Sequence, residues 1–319
     1  MKIASRRTPF GDRLCFPDVV PGQLVDIQAA FVRRLETGGV HRDDALARAR
    51  LAVAGDLPAL LRADPQLTSV REVFEWAVGH AGGGDLDEDC LWSDAPARLG
   101  PPIGRPGTIW CMLANYPRER PGAAGPAPSG TAPAPARRSP QGCLKAASAL
   151  AGPHDDLRYP AICEKVDPEM ELGVVIGSRA RHLTPENAMR AVAGYVGFCD
   201  VGSRDVSERD GNRMDRGKGF DTFGIAGPWF VTADEIPDPH RLSIRSWVNG
   251  EPRQDGSTAE MFHSVPDQLA WLTEALTLVP GDLLSTGTPL GHPLVKPGDV
   301  VRGEIEGLGV IETAVVADR

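Results

Sequence analysis

The sequence predicts an α+β protein that is mostly β, with a smaller N-terminal α/β part. Three observations predict this class. The chain of 319 residues contains 36 glycines and 29 prolines, about a fifth of the total, which disfavours a helical bundle. Residues 21–80 carry apolar side chains at helical spacing. After residue 160, short apolar runs of strand type alternate with turn signals.

Residues 1–105 are predicted to form an N-terminal accessory domain. Short strands with turns are expected over residues 1–20, and helices follow to about residue 80. Three consecutive glycines from Gly82 end the helical pattern. Two apolar helical faces are predicted, one from Val25, Ala29, Val32 and Leu35 and one from Val70, Val73, Phe74 and Ala77. No pattern in this part indicates chemistry, so packing or dimerisation is its simplest role.

Residues 106–319 are predicted to form a largely antiparallel β-domain with two or three helices. A helix is expected from Pro185 to about Ala193 with Thr184 as its N-cap, and an amphipathic helix at 266–278. Asn249-Gly250 is typical of a hairpin turn. The predicted strands lie at 108–114, 172–176, 195–201, 242–248, from 251 onward, at 283–286 and at 300–305.

One segment, residues 121–140, has an unusual composition, with six prolines, six alanines and three glycines. Such a segment has too few large apolar side chains to form a packed core. It is therefore predicted to be a mobile loop, either a simple linker or a lid over an active site. The polar motifs on both sides of the segment favour the lid.

Charge and cysteine content narrow the function further. The formal net charge is −9 and the pI is about 5.3, which disfavours nucleic acids and anionic membrane surfaces as partners. The first residues lack the apolar run of a signal peptide, and no apolar stretch reaches membrane-spanning length. The six cysteines are scattered without a CxxC pair, so we expect them to be reduced and mostly buried. A cytoplasmic location is the corresponding expectation.

The clearest candidate site is a pair of carboxylates, Glu169 and Glu171, at the start of an apolar strand. Residues two apart on a strand point to the same side, so these two side chains project together. Asp200 ends another apolar strand and offers a third carboxylate. An all-oxygen group of this kind suits Mg²⁺, Mn²⁺ or Ca²⁺. The simpler alternative is a solvated acidic strand edge.

Two basic residues stand near these carboxylates in the sequence. Arg204 follows Asp200 closely, and a guanidinium can bind a substrate carboxylate through paired hydrogen bonds. Lys218 lies between glycines in RGKGFDTF and could stabilise an oxyanion. Lysine is rare here, only five of 34 basic residues, which makes each one more noticeable. An exposed salt bridge and a solvated loop lysine are the alternatives.

Eight segments in order identify a resemblance to the fumarylacetoacetate hydrolase (FAH) superfamily, over residues from about 109 to 319. Each segment alone is a weak signal, but eight in family order are very specific. The segments are NY at Asn115-Tyr116, LKAASALAGP from Leu144, VDPEMELGVVIG from Val166, CDVGSRD from Cys199, KGFDTFGIAGPW from Lys218, VNGE from Val248, PGDLLSTGTPLG from Pro280 and KPGDVVRGEIEGLG from Lys296.

The resemblance implies a β-roll catalytic domain, commonly dimeric, behind a smaller N-terminal domain. It implies that Glu169, Glu171 and Asp200 bind Mg²⁺ or Mn²⁺. The implied substrate is a small 2-oxo acid or 1,3-dicarbonyl acid that chelates the metal. A metal acting as a Lewis acid would stabilise the enolate that is left when a C–C bond next to a carbonyl breaks.

The resemblance also implies roles for further residues of the pocket. Lys218 and Arg204 would contact the substrate or the activated water. Thr288 would offer its hydroxyl to the substrate carboxylate, Tyr116 would also bind substrate, and Lys145 would lie at the edge of the pocket.

The sequence departs from the family pattern at the lid. Family hydrolases usually follow NY with a His and a nearby Glu that activate water, whereas this chain reads NYPRERPGAAG, with Glu119 about where the His would stand. The next histidine, His154, is interpreted as a surface residue. Cys199 replaces a more common Asn, and Ser207 replaces a common Gln.

These departures leave three functions open. The chain is a hydrolase in which Glu119 acts as general base, or an enzyme that uses the enolate without an attacking water. The second group includes decarboxylases, tautomerases, isomerases, hydratases and retro-aldol lyases, and suggests a possible place in specialised biosynthesis. The third is a binding protein with a vestigial site, which the intact set of candidate ligands disfavours.

Overall fold

The computed structural model describes residues 1–53, 55–93, 95, 98–117 and 139–318. The strands are β1 (Lys2–Thr8), β2 (Gly11–Val20), β3 (Gln23–Asp26), β4 (Leu91–Ser93), β5 (Leu99–Gly100), β6 (Ile109–Leu113), β7 (Gln141–Lys145), β8 (Leu150–Ala151), β9 (Leu157–Tyr159), β10 (Val166–Ile176), β11 (Val192–Ser203), β12 (Gly224–Thr232), β13 (Ser243–Val248), β14 (Glu251–Ser257), β15 (Leu283–Ser285), β16 (Val300–Ile305) and β17 (Gly309–Ala317). The α-helices are α1 (Ile27–Thr37), α2 (Arg42–Ala52), α3 (Leu57–Ala63), α4 (Thr68–His80), α5 (Arg204–Arg209), α6 (Met214–Gly217) and α7 (Val265–Ala275).

The strands form two sheets. The larger sheet has twelve strands with the central order β4-β3-β2-β1-β12-β11-β10-β15-β6-β7, and β5 and β8 pair with β1 and β12. The smaller sheet has the order β14-β13-β16-β17-β9. Most neighbours are antiparallel, as in the predicted mostly β class, and the α-helices cluster before residue 81 and after residue 203.

The N-terminal strands continue the large sheet, because β1 pairs with β12 through Lys2 and Ile3. The cores are continuous as well. One core cluster combines Phe16 and Leu61 with Val196 and Phe230 of the central strands, and a second lies between the two sheets. A domain boundary at residue 105 stays a prediction.

The pairing of β10 with β11 positions the candidate site. Glu169 lies opposite Asp200 in the antiparallel register. Met170 points to the other face, where Gly303 of β16 packs against its side chain. Glu171 therefore returns to the same face as Glu169. On the other side of β10, Gly173 pairs with Ser285, which brings the 286–292 segment to the same end of the sheet.

Several local predictions are confirmed. The Asn249-Gly250 hairpin connects β13 and β14, with φ of 53° and 79° as its turn requires. The helix predicted at 266–278 is α7, and Ser264 caps it by accepting a hydrogen bond from the Asp267 amide. All six cysteines are free, and all but the half-buried Cys143 are buried.

Two local predictions are wrong. Residues 185–187 form a turn and Ala188–Ala191 a short 3₁₀-helix, so there is no α-helix to Ala193. The reason is that β11 begins at Val192, which pairs with Ile176, and this leaves no length for a helix. Val25 belongs to β3, where it pairs with Phe16 and Leu91, rather than to a helical face.

Within the described ranges, no helix combines the length and the apolar character needed to cross a membrane.

Candidate metal centre and substrate cavity

A cavity of about 650 Å³ opens at the end of β10 and β11. Its lining includes the apolar side chains of Met112 and Leu113 of β6. The carboxylates of Asp167, Glu169 and Glu171 also line it. A cavity of this size, with both apolar and charged lining residues, suits a small polar metabolite.

Three carboxylates meet at what we call the cavity floor: Glu169 and Glu171 line the cavity, and Asp200 is buried beside them. Glu169, Glu171 and Asp200 offer oxygen atoms that all lie within 4.8 Å of one another. Glu171 is 1% exposed and Asp200 is 0% exposed. Buried carboxylates this close repel each other unless cations lie among them. The structure therefore brings together the three residues that the sequence singled out.

Lys218 provides one of those cations. Its Nζ donates a hydrogen bond of 2.8 Å to Glu169 Oε2 and one of 2.5 Å to Asp200 Oδ2. Burial would lower the pKa of Lys218, but the charges of Asp200 and Glu169 outweigh burial and raise it well above its usual value. The ammonium is thus held protonated between two of the carboxylates.

Lys145 lies elsewhere than the sequence predicted. Instead of the cavity edge, it occupies the protein interior beside Asp200, with its Nζ 2.9 Å from Asp200 Oδ1. The same Nζ donates to the backbone carbonyls of Val201, Lys218 and Phe223. These acceptors use all three ammonium protons, so Lys145 supports Asp200 from behind rather than reaching a bound molecule.

The carboxylates at the cavity floor outnumber the lysines that neutralise them. Burial and the charge of Asp200 raise the pKa of Glu171 well above its usual range, although Ser285 Oγ and the Gly287 amide both donate to Glu171 Oε2, at 2.5 and 2.8 Å. For Asp200, burial opposes ionisation, but Lys145 and Lys218 hold its pKa below the ordinary value. Two lysines thus face three converging carboxylates. A divalent cation fits this oxygen donor set.

A second charged group lies at the cavity mouth. Arg204 donates from Nε to Asp167 Oδ2 at 2.8 Å, and its Nη2 lies 2.6 Å from the same oxygen. The Nη2 atom also lies 2.6 Å from His292 Nδ1. His292 Nδ1 in turn lies 3.6 Å from Glu169 Oε1, so the mouth and the floor are adjacent. Sequence reasoning missed His292, although it follows closely after Thr288, for which the resemblance implies a role in substrate binding.

Thr288 and Tyr116 both line the cavity. The Thr288 hydroxyl donates to the Met170 carbonyl at 2.8 Å and accepts from Gln254 Nε2 at 2.8 Å, so its proton is already used. Tyr116 is 4% exposed, and its hydroxyl has no hydrogen-bond partner among the described residues. Burial raises the pKa of Tyr116 well above its usual value, so the hydroxyl is a neutral donor available to a ligand.

Two predicted features take no part in the described site. Glu119 lies outside the described residues, as do positions 121–138 of the predicted lid. His154 is partly exposed near β17, where its Nδ1 lies 3.3 Å from the Glu312 carbonyl oxygen, and it does not line the cavity.

Comparison with known proteins supports the resemblance. The sequence model of the fumarylacetoacetate (FAA) hydrolase C-terminal family matches residues 108–316, well over half of the chain. The chain belongs to this family. The match includes every residue of the cavity described above, so the carboxylate cluster lies within the family region.

Sequence relatives in Burkholderia carry names of candidate hydrolases. One from B. cenocepacia (strain HI2424) is 44% identical over 170 residues, which is 51% of this chain and 60% of that protein. Another from B. ambifaria (strain ATCC BAA-244) is 38% identical over 220 residues, 66% of this chain and 75% of that protein. The chain thus matches somewhat less than two thirds of the length of the first of these relatives.

Solved structures of the same fold include both hydrolases and isomerases. A maleylpyruvate hydrolase from Sphingobium sp. SYK-6, solved also with manganese(II) and pyruvate, has a TM-score of 0.73 and 27% identity, with both chains fully covered. A 5-carboxymethyl-2-hydroxymuconate delta-isomerase from Mycobacterium smegmatis has a TM-score of 0.69 and 25% identity at the same coverage. The fold of the FAA hydrolase family therefore accounts for the whole chain.

Proposed function

We propose that this FAA hydrolase family member is a divalent-metal-dependent enzyme that cleaves a C–C bond next to a carbonyl in a 2-oxo or 1,3-dicarbonyl carboxylate. The observation that carries the proposal is the convergence of Glu169, Glu171 and Asp200 on the cavity floor around the Lys218 ammonium. The manganese and pyruvate in the maleylpyruvate hydrolase structure support both the cofactor and the substrate class.

The same three carboxylates would hold Mg²⁺ or Mn²⁺, and Ca²⁺ could replace either in a crystal. The excess of carboxylates over lysines favours this assignment. A bound cation would supply Lewis-acid polarisation of the substrate oxo group. The other contributions come from the side chains around it.

Lys218 is the proposed oxyanion-stabilising catalytic residue of the cavity floor. Because its pKa is raised, Nζ keeps its proton and can donate a hydrogen bond to a carbonyl oxygen that gains negative charge as the C–C bond breaks. Tyr116 can donate its free hydroxyl to a second substrate oxygen. Thr288 would donate to the substrate carboxylate in exchange for its present bond to the Met170 carbonyl. Arg204, with 44% of its side chain exposed, can donate to the substrate carboxylate while Asp167 balances its charge.

A hydrolase also needs a base that takes a proton from water. We propose Glu119 for this role, on its position after the NY segment. The second candidate function is an isomerase, tautomerase, decarboxylase or hydratase of a related oxo acid. The similar delta-isomerase structure favours this alternative, as does the absence of the usual lid His from the sequence. A purely binding role is less well supported, because the ligands, Lys218 and Arg204 are all assembled.

The proposed assembly follows the family resemblance, and the proposed location follows the cysteine content and the N-terminal sequence pattern. We propose a cytoplasmic homodimer that acts on a small molecule, with neither nucleic acid nor membrane as a partner, in keeping with the net charge of −9.

An NMR time course of acetylpyruvate tests the proposal. Mg²⁺-loaded protein is expected to convert acetylpyruvate and water to acetate and pyruvate, and protein with a chelator is not. The Asp200→Asn variant is the matched control, because it keeps the side-chain shape and loses the charge. If acetylpyruvate stays intact while calorimetry shows bound Mg²⁺, the hydrolase proposal fails and isomerase or decarboxylase substrates become the next test. If the protein binds no Mg²⁺ or Mn²⁺, the metal-dependent function as a whole fails.

A further inference from the structure

His292 has a defined hydrogen-bond state in the structure. Its Nδ1 lies 2.6 Å from Nη2 of Arg204, and a guanidinium can only donate. This short contact assigns Nδ1 as the acceptor and the ring proton to Nε2, in preference to the tautomer in which Nδ1–H donates to Asp167 Oδ2 at 3.1 Å. The Asp167 carboxylate, 3.1 Å from the same Nδ1, holds the guanidinium in this position.

We propose that His292 is a substrate-binding residue that works with Arg204 as one anion-binding pair, with the Nε2–H donating to the substrate carboxylate. This inference rests on the proposed function, which supplies the oxo-acid substrate. His292 lines the cavity with 26% of its side chain exposed, and its Nε2 has no hydrogen-bond partner in the part of the chain that the structure describes. A free donor at a cavity wall, next to a guanidinium, suits an anionic oxygen.

A second cation is the competing interpretation of this cluster. Asp167, Glu169 and His292 offer ligand atoms within 4.8 Å of one another. The Arg204 guanidinium, however, already lies 2.6 Å from both Asp167 Oδ2 and His292 Nδ1. A metal ion bound to these two atoms would be in direct contact with that positive charge. The arrangement therefore favours an anion at the free Nε2 over a cation at Nδ1.

Arg204 alone attracts an anion only weakly, because its charge is already balanced, and this explains why a second hydrogen-bond donor is needed. Asp167 neutralises the guanidinium, and Glu169 and Glu208 add negative charge around the cavity. An approaching carboxylate would meet repulsion from these groups, which the cation proposed for the floor offsets. The His292 Nε2–H adds a directed hydrogen bond without further charge.

Two substitutions distinguish the roles of the two ring nitrogens of His292. In His292→Asn the amide oxygen can take the place of Nδ1 and accept from Arg204, but the Nε2–H donor is lost. In His292→Leu both functions are lost. His182→Asn is the matched control, because His182 is exposed, also accepts from an arginine (Arg181 Nε, 3.3 Å) and lies outside the cavity.

The probe is oxalate, a small dianion that resembles the enolate of a 2-oxo acid, titrated calorimetrically into Mg²⁺-saturated protein. We expect His292→Asn to raise the Kd of oxalate about tenfold and His292→Leu to raise it further, since a hydrogen bond to a charged group is worth about that much. The Kd of Mg²⁺ should stay within about twofold in both variants. His182→Asn should change neither value.

Three results would overturn the assignment. An oxalate Kd in His292→Asn equal to that of the unmodified protein would show that the Nε2–H contacts no anion. A loss of Mg²⁺ affinity with unchanged oxalate binding would make His292 part of the metal centre. Equal losses for oxalate and for acetylacetone, a 1,3-diketone without a carboxylate, would show a merely structural role. Failure of the unmodified protein to bind Mg²⁺ and oxalate would instead contradict the proposed function, and this assignment would fail with it.

Discussion

Two ion-paired aspartates show how differently this chain uses buried charge. Asp155, at the junction between β1 and the loop that connects β8 to β9, accepts from both terminal nitrogens of Arg7 and from the Gly152 amide. Burial opposes its ionisation, but these donors outweigh burial and lower its pKa. Asp200, at the cavity floor, is also held ionised, yet by two lysines, of which Lys218 is shared with Glu169.

The difference lies in what surrounds each aspartate. At the junction every carboxylate oxygen has its own donor, so pairing stabilises the fold. At the floor a further carboxylate, Glu171, is buried beside Asp200 and its pKa is raised well above the usual value. Burying the Glu171 carboxylate beside Asp200 does not stabilise the fold, so a role other than stability is indicated. The arrangement is typical of functional sites, where charge is concentrated for a ligand.

The largest expected effect comes from removing the charge of Asp200. Asp200→Asn should weaken Mg²⁺ and Mn²⁺ binding by more than about a hundredfold, because even groups that merely orient metal ligands are worth about 10–100-fold. Turnover should be abolished. Isothermal calorimetry and the NMR assay measure both values. Asp18→Asn, at an exposed ion pair with Lys2, is the control that should change neither. Unchanged metal affinity in Asp200→Asn would remove Asp200 from the metal centre.

Replacing Lys218 should lower the stability of the metal-free protein and make the protein more dependent on Mg²⁺. Lys218→Met leaves Glu169 and Asp200 without their shared ammonium, so the free energy of unfolding without metal should fall by about 3 kcal/mol. Mg²⁺ should then raise the Tm of the variant more than that of the unmodified protein, because the cation replaces the lost charge. Denaturant titrations with and without Mg²⁺ measure this. Lys165→Met, at an exposed pair with Glu208, is the control. Equal Mg²⁺ stabilisation in both proteins would contradict this prediction.

A smaller effect is expected at the lid. Glu119→Gln should slow hydrolysis of acetylpyruvate by at least about tenfold, since a positioned base is typically worth more than that. Mg²⁺ affinity should not change, because Glu119 is not among the proposed metal ligands. The NMR assay measures the rate, and Glu274→Gln on the exposed side of α7 is the control. An unchanged rate would exclude Glu119 as the base.

The smallest effect is expected at the junction. Asp155→Asn should lower the free energy of unfolding by about 1 kcal/mol at pH 7, with activity unchanged. Since the folded-state pKa of Asp155 is lowered, its stabilisation is present above about pH 4 and is lost as the pH falls through the folded-state value. Urea titrations at pH 7 and pH 3 measure the difference, and exposed Asp156→Asn is the control. A difference that grew at pH 3 would contradict the assignment.

The sequence predicted the parts of the site that depend on local periodicity. Glu169 and Glu171 are two apart on a strand, and the structure places both at the cavity. The register that puts Asp200 opposite Glu169 depends on the pairing of β10 with β11, which no local pattern specifies. The wrong helix after Thr184 has the same origin, because pairing at Val192 overrode a favourable capping sequence.

The remaining errors concern side chains whose partners are distant in sequence. Lys145 was noticed as a rare lysine, but nothing local shows that three backbone carbonyls from other segments would take its protons. His292 lies far from the lid in sequence, and no local pattern around it indicates a site. It reaches the site through β15, whose pairing with β10 brings the following segment beside Glu169.

A crystal structure of the protein grown with Mn²⁺, with anomalous data collected at the manganese edge, tests the central claim most directly. We predict an anomalous peak about 2 Å from carboxylate oxygens of Glu169, Glu171 and Asp200, with the Lys218 ammonium moved away from the position between Glu169 and Asp200. No peak at the floor, with Lys218 still bonded to both carboxylates, would contradict the account.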